Sequence, residues 1–441
     1  MEYFVNIKSV FNKKNDRTIE VLKEIYEQRD SLIKFISSVI SDKLTEKTIK
    51  GKKILLKPNW VKHDLKPSDK ICLRTHDNFL LAALEVVLKN SPKSVLIGDA
   101  PIQGCDWNMM LSAEFYREVK KLSEKYNIPV NIKDFRRMTF DPLNNKLEVE
   151  RNPLSDYIIF DLGKKSYLEP ITAKEKQLFR VTDYDPDRFK ESHAPGVHKY
   201  CITKELFNAD LIISLPKVKT HQKAGITAAL KNIVGLNGDK DFLPHHRVGG
   251  TGFGGDCYPG KNYLRYGAEL VLDEANKRRG QTSYKFLKKF SSLLWKLSFP
   301  GKGINLGAGW HGNDTTWRMV LDLNKIIIYG KSDGAISDTP MRQLFSLCDG
   351  IIGGQGDGPL KPDPLLFGII SFTNHSAMND LTMGTLMGFN IEKIPLLKTA
   401  AKSTAKQNIN LFWNNKKCNL EDLKKFAVKT QPPPGWTNYL I

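Results

Sequence analysis

The stretch from Ala209 to Leu236, ADLIISLPKVKTHQKAGITAALKNIVGL, constrains this chain more than any other. Leu211 to Leu215 is a short apolar run with β-branched residues, the length and type of a strand buried on both faces. Pro216 withholds a ladder donor, so the chain is expected to leave the sheet there. Lys217, Lys219 and His221 follow at alternate positions beyond a strand's carboxyl end, where ligands collect in open α/β sheets. Ala224, Gly225, Thr227, Ala228 and Ala229 are small enough for backbone to approach a ligand. A helix is expected to begin here, with free N–H groups and a positive dipole end, and Lys231 and Asn232 fall about one turn into it. A solvated basic loop is the ordinary alternative, and the density of cations beside small residues favours an anion site.

The rest of the sequence repeats a strand–helix rhythm. An amphipathic helix is expected from Ile19 to Ile40, a strand over Ile54–Leu56 ending in Lys57-Pro58-Asn59, and a helix from about Asn78 to Lys89. A strand over Ser94–Ile97 then ends in Gly98-Asp99-Ala100-Pro101, followed by a helix and the strand Val130–Ile132. Successive strands ending in polar turns imply an α/β fold with a largely parallel, Rossmann-like sheet flanked by helices and interrupted by long loop insertions. Four regions follow: an N-terminal α/β region (1–165), the signature strand and helix with flanking loops (166–262), a helical insertion with the HGND loop (263–320), and a C-terminal α/β region with a glycine-rich loop (321–441).

Several other segments carry candidate chemistry. The irregular stretch 237–261 holds His245, His246, Arg247 and Asp256, able to bring metal ligands or phosphate contacts to the site, with solvated loop histidines as the alternative. In the segment 310–318, Asp314 reads as a helix N-cap ion-paired with Arg318, while His311, Asn313, Trp317 and Arg318 also suit a sugar or phosphate. A strand is expected at Lys325–Tyr329. The run 349–359, DGIIGGQGDGP, is expected to be a loop exposing N–H groups around Gly356 and Gly358 to an anion; it is neither a Walker loop nor a dinucleotide fingerprint. Asp380 would cap the next helix or reach the site. Pro432-Pro433-Pro434-Gly435-Trp436 reads as an extended tail held down by Trp436.

LPKVKTH with AALKNIVGL resembles the signature of the family known as domain of unknown function 362, and KPNW (57–60), GDAP (98–101) and GDGP (356–359) fit its other blocks. Members often carry an added ferredoxin-like cysteine cluster. Here Cys72, Cys105, Cys201, Cys257, Cys348 and Cys418 are scattered with no C-x-x-C pair, so no iron–sulfur cluster is expected, and they read as reduced packing residues. His221, Ala224-Gly225 and Lys231 are also similar in order and spacing to the nickel-pincer lactate racemases, in which the lysine carries the pincer nucleotide. That family's Gly-Gly-Arg-Lys turn stands here as Ala228-Ala229-Leu230-Lys231. This resemblance implies a shared ligand-binding scaffold rather than nickel.

The formal charge of +19 would steer anions towards the chain. No recognition helix or RNP motif accompanies it, so sequence-specific nucleic-acid binding is not expected. No apolar run approaches 18 residues and the amino terminus has no signal-peptide h-region, which implies a cytoplasmic protein. The segment 284–299 is a basic amphipathic helix with Phe286, Leu287, Phe290, Leu293, Leu294 and Leu297 on one face. Docking on the core is expected for it; peripheral membrane contact, with a lipid-linked substrate, is the alternative.

The functional expectation is an enzyme acting on a phosphorylated or carboxylated, sugar-like or hydroxy-acid substrate by isomerisation, epimerisation or group transfer. His221 and Lys231 would serve proton transfer or covalent attachment. Lys57, Asn59, Lys217, Lys219, Asn232, Arg247, Trp317, Arg318, Gly356 and Gly358 would hold the anion. Two alternatives stay open. One is divalent-metal phosphoester chemistry at Asp99, His245, His246, Asp256, Asp314 and Asp380; the other is a non-catalytic module binding a nucleotide or anionic glycolipid.

Overall fold

A twelve-stranded sheet with helices on both faces organises the chain, whose computed structural model describes residues 2–11, 17–140, 148–298, 307–405 and 407–441. The strands are β1 (Tyr3–Ser9), β2 (Lys53–Pro58), β3 (Ser94–Asp99), β4 (Val130–Asp134), β5 (Leu211–Leu215), β6 (Lys217–His221), β7 (Gly225–Thr227), β8 (Leu344–Asp357), β9 (Lys361–Leu365), β10 (Ile369–Thr373), β11 (Ile409–Trp413) and β12 (Lys416–Lys417). Their order is β12-β11-β1-β10-β8-β5-β2-β3-β4, with β6 paired to β7 and β8, and β9 added to β8. The stretch β8-β5-β2-β3-β4 is parallel throughout.

Burial on both faces explains the continuous apolar strands. Leu55 and Ile212 face one core while Ile54, Leu56, Leu211, Ile213 and Leu215 face the other. The first core is closed by α8 (Thr316–Tyr329), α9 (Ser376–Leu386) and α10 (Pro395–Thr404), the second by α1 (Ile19–Glu27), α2 (Arg29–Ile40), α3 (Asp77–Leu88) and α4 (Ala113–Tyr126). Strands from the first, second and last thirds of the chain interleave, since β1 lies between β10 and β11. Among the described residues no helix is long and apolar enough to cross a membrane.

Four expectations change. The helix foreseen over Ile19–Ile40 breaks at Gln28, which swings α1 so that Tyr26 reaches Asp349 while Leu32, Ile36 and Val39 of α2 stay buried. Lys325–Tyr329 is the last part of α8 rather than a strand, because Val320, Leu323, Ile326 and Ile327 line one buried helical face. Pro216 does not take the chain out of the sheet: its carbonyl still accepts from the Asp349 N–H (2.8 Å), and β6 resumes one residue later. The glycine run 349–358 is mostly the end of β8, not a loop.

The helix α7 (Thr282–Leu297) packs on α6 (Tyr263–Lys277) through Ser291, whose hydroxyl donates to the Ala268 carbonyl, and through Trp295 against Tyr258. Its apolar stripe is not docked: Phe286 is 70 % exposed, Leu293 51 % and Leu297 64 %. Residue 299, the end of the foreseen helix, lies outside the described residues.

The junction of β6 with β8 is held by a buried pair. Lys217 Nζ lies 2.9 Å from Asp349 Oδ2, whose other oxygen accepts from Tyr26 Oη (2.5 Å) and which also accepts from the His76 N–H (3.0 Å). Asp349→Asn should therefore leave Lys217 buried without a counter-ion and cost about 3–5 kcal/mol in urea unfolding. Adding Lys217→Met should recover most of that loss, because an apolar replacement of a whole buried pair is near neutral. Equal destabilisation of the single and double variants would place the effect in Tyr26 and His76 instead.

Candidate functional site

Lys57 is the next-to-last residue of β2 and Asp99 the last of the neighbouring β3, so a parallel register brings their side chains to one edge of the sheet. They form a buried ion pair of 2.7 Å. Asp99 accepts in addition from the N–H groups of Trp60 (2.7 Å) and Ala100 (2.8 Å). Beside this pair Asn59 Nδ2 donates to Asn232 Oδ1 (3.0 Å), and Asn232 Nδ2 donates to Ser214 Oγ (2.8 Å) and the Lys57 carbonyl (3.1 Å). Gly235 is required here: a Cβ on it would lie 1.7 Å from Asp99 Oδ1.

The signature segment comes in from the other side. β6 and β7 form a hairpin across Gln222-Lys223-Ala224, with Gly225 at φ +81° and Trp436 Nε1 donating to the Gln222 carbonyl (2.7 Å), as expected of the tail. Lys219 donates to the Leu73 carbonyl (2.5 Å) and Asn59 Oδ1 (3.2 Å). The short helix α5 (Ala229–Asn232) then carries Lys231. Its first amides are not open to a ligand, because Asp380 accepts from the N–H groups of Ala229 (2.8 Å) and Leu230 (3.0 Å). Burial pushes the Asp380 carboxyl up to about 7 despite those bonds.

Around this hairpin gather Lys219, Lys223, Lys231 and Lys240, none of which makes an ion pair with a carboxylate among the described residues. Lys240 donates to the Ala100 carbonyl (3.0 Å). Burial, reinforced by Lys240, Lys223 and Lys57, pulls the Lys231 ammonium down to about 7. Burial, with Lys231 and Lys217 acting in the same direction, also brings Lys219 to about 7. Lys223 and Lys240 fall to about 8, chiefly through burial. Lys219 and Lys240 are buried, while Lys223 and Lys231 are half-buried.

Two histidines face the same cations. Burial, then Lys231 and Lys223, hold both His221 and His245 well below the ordinary imidazole range, so both are neutral at pH 7. His221 Nδ1 accepts from the Lys223 N–H (3.1 Å), which puts its proton on Nε2. His245 Nδ1 lies 2.7 Å from the Leu243 carbonyl, which fixes its proton on Nδ1 and leaves Nε2 with a lone pair.

The structure thus brings together Lys57, Asn59, Asp99, Lys219, His221, Lys231, Asn232 and His245 from the sequence expectations. It separates others. Lys217 is neutralised by Asp349. The amide of Gly356 donates to the Gln431 carbonyl and that of Gly358 to the Gly356 carbonyl, so neither is offered to an anion. These glycines serve close packing: a Cβ on Gly358 would lie 2.1 Å from the Thr220 carbonyl oxygen. Trp317 Nε1 donates to Asp314 (2.9 Å), and Arg318 pairs with Asp314 (3.1 Å) while stacking on Trp317. The N-cap position is Thr315 rather than the foreseen Asp314, and Asn313 Oδ1 accepts from the Thr315 and Thr316 amides.

Asp256 accepts from the Arg247 N–H (2.6 Å) and Thr315 Oγ1 (2.6 Å), and the Arg247 guanidinium donates to the Gly254 carbonyl (2.9 Å). Asp99, Asp256, Asp314 and Asp380 therefore each have a local structural partner and build no common metal centre among the described residues. His246 turns away from His245 towards Cys257 and Glu269. Two surface grooves of about 270 and 440 Å³ run along residues 170–179 beside Arg247, and none of the clustered lysines lines them. Lys223 and Lys240 were not singled out from sequence; the former sits two residues after His221 inside the signature run, a position that could have marked it.

No curated protein matches the chain. Among solved structures, a crystal structure of a protein from Thermotoga maritima aligns at 9 % identity over 85 % of this chain and 59 % of that one, with a TM-score of 0.33; the chain thus spans under two thirds of that protein. Residues 163–382 match the family described as Domain of unknown function (DUF362), a span holding the β5–β6–β7–α5 signature and Asp380, and through it the chain belongs to that family.

Proposed function

We propose that the lysine cluster binds an anionic substrate, phosphorylated or carboxylated, at the carboxyl edge of the parallel sheet, and that the protein is an enzyme acting on it. The observation that carries this reading is the group of four inward lysines without carboxylate partners beside two neutral histidines. An anion would supply the missing counter-charge. Lys231 is the residue for nucleophilic attachment or proton transfer, since an amine with a pKa near 7 is substantially neutral at neutral pH, whereas an ordinary lysine is neutral in about one molecule in a few thousand. The opposed tautomers support acid–base work: His221 offers an Nε2 proton and His245 an Nε2 lone pair. Isomerisation, epimerisation or group transfer on a sugar-like or hydroxy-acid substrate suits such a set. The order His221, Ala224-Gly225, Lys231, similar to that of the pincer racemases, is consistent with Lys231 as the point of attachment.

Inorganic phosphate should raise the melting temperature with saturation at one site, and Lys219→Ala should remove most of that shift. The pH dependence follows from the depressed lysines. An anion binds their charged form, so binding takes up protons above pH 7, and affinity should fall as pH rises from 7 to 9, by up to about tenfold per unit for each proton taken up. Titration calorimetry in two buffers of different ionisation enthalpy measures that uptake. A shift unchanged in Lys219→Ala, or an affinity flat across this range, would place the anion elsewhere.

The exposed stripe of α7 favours a second element of the reading, contact with a membrane surface. Phe286, Phe290, Leu293 and Leu297 are exposed, and Lys285, Lys289 and Lys296 beside them match anionic headgroups. The chain should co-sediment with phosphatidylserine vesicles and do so far less after Phe286→Ser with Leu293→Ser. Equal sedimentation of both proteins would end this proposal.

A further inference from the structure

The loop 243–261 folds back on itself and onto α6. The Cys257 N–H donates to the Gly249 carbonyl (3.0 Å), the Thr251 N–H to the Tyr258 carbonyl (2.9 Å), and the Gly249 N–H to Glu269 Oε2 on α6 (2.9 Å). The two-residue strand His246–Arg247 pairs with Phe179–Arg180 and points His246 inward. Three side chains from three separate segments, His246, Cys257 and Glu269, thereby converge. Their ligand atoms all lie within 4.8 Å of one another, and all three residues are more than nine-tenths buried.

Local hydrogen bonding engages this trio only in part: the Cys257 thiol pairs with Glu269 and the Arg247 carbonyl, and Glu269 Oε2 accepts from the Gly249 N–H. His246 Nδ1 and Glu269 Oε1 are both buried without a partner. Orphaned polar atoms of this kind cost about 1–3 kcal/mol each, so a fold that buries one on each of two clustered residues is expected to give them a ligand. Cys257 Sγ, beside the Arg247 carbonyl oxygen at 3.3 Å, supplies a third donor of a softer kind.

We propose that His246, Cys257 and Glu269 form a zinc site that fastens the loop 243–261 to α6. Sulfur, imidazole nitrogen and carboxylate oxygen are the ligand types of zinc, and a set containing a thiolate disfavours magnesium and calcium. The charge balances: a thiolate and a carboxylate offset one divalent ion around a neutral imidazole, and binding releases the thiol proton together with any proton the carboxyl holds. Zinc bonds of about 2.0–2.3 Å require the three donors to approach to roughly 3.5 Å, a contraction within reach of side-chain rotation. The charged groups facing the site are Lys223, Arg180, Asp256 and Asp273; Arg180 is already paired with Asp273 (2.9 Å), and Asp256 with Arg247 (3.7 Å). The hydrophobic side is closed by Tyr258, Ala308 and Trp310. The site adjoins the lysine cluster through Lys223 alone, because the adjacent His245 turns to the opposite side, towards Lys231.

The full-length protein, stripped with a chelator under reducing conditions and given Zn²⁺ alone, should retain one equivalent through gel filtration and melt at a higher temperature. Co²⁺ in its place should give a thiolate-to-metal charge-transfer band. Cys257→Ser should abolish that band, and Glu269→Gln and His246→Gln should each weaken zinc retention by at least about tenfold, with circular dichroism confirming that the variants fold. Wild-type protein that retains well under one equivalent, or a Co²⁺ spectrum without the charge-transfer band, would overturn the site with no variant needed. An unchanged zinc affinity in all three folded variants would do the same.

Discussion

Everything at the candidate site is referred to the Lys57–Asp99 pair. Lys57 is the next-to-last residue of β2 and Asp99 the last of β3, so the position of the pair is set by the sheet register itself and not by a loop. Asp99 is held by two backbone amides as well as by Lys57, which makes it a fixed point. The chain after α5 then lies directly on it: the Ala100 N–H donates to the Gly235 carbonyl (3.0 Å), and Gly235 leaves no room for a side chain against the carboxylate. Because Gly235 is four residues beyond Lys231, anchoring one end of this short helical segment places the amine at the other. Asp380 anchors the first amides. The segment is thus held at one end by the buried Asp380 carboxylate and at the other by the Ala100 amide beside Asp99.

The lysines divide into two kinds by what their ammonium groups meet. Lys57 and Lys217 meet carboxylates at 2.7 and 2.9 Å and serve as structural cross-links between strands. Lys219 and Lys240 meet backbone carbonyls. A carbonyl satisfies a donor without neutralising a charge, so these residues have their hydrogen bonds but not their counter-ions. A low-dielectric site with surplus cations resolves that imbalance by shedding protons or by taking up an anion. Either outcome is chemically useful, since shedding protons yields neutral amines and anion uptake yields a bound substrate.

The sequence was most legible where the physical signal is local. Leu211–Leu215 has the same bounds as expected because a doubly buried strand must be apolar at every position. Lys57, Asp99 and His221 could be assigned to one edge because strand-end loops of a parallel sheet share an edge. Local signals also misled. Ile326-Ile327-Ile328 reads as a strand by β-branched content, yet its helical face only becomes apparent with Val320 and Leu323 included. The glycines after Asp349 read as a loop by composition, yet Gly354 is small because Lys219 Cβ would otherwise be 2.7 Å away. What no local pattern could reveal is long-range pairing. Lys217 is neutralised by a carboxylate 132 residues away and α5 is capped by one about 150 residues away, and these two contacts remove Lys217 and the helix amides from the anion site.

His245 and His246 illustrate how adjacent residues can belong to different chemistry. Side chains at neighbouring positions of an extended segment point to opposite faces, so one histidine can join the lysine cluster only if the other leaves it. His245 turns to Lys231 and Lys223 with its proton fixed by the Leu243 carbonyl, and its own carbonyl accepts from Asn313 Nδ2 and Thr316 Oγ1 at the start of α8. His246 turns to Cys257 and Glu269. Lys223 lies near both histidines, and Cys257 and Asp256 act on it in turn. The protonation of Lys223 is therefore the electrostatic link between the two sites. A divalent ion among His246, Cys257 and Glu269 would replace thiol and carboxyl protons without adding net charge, so it could fix the loop while leaving the anion-seeking character of the neighbouring cluster intact.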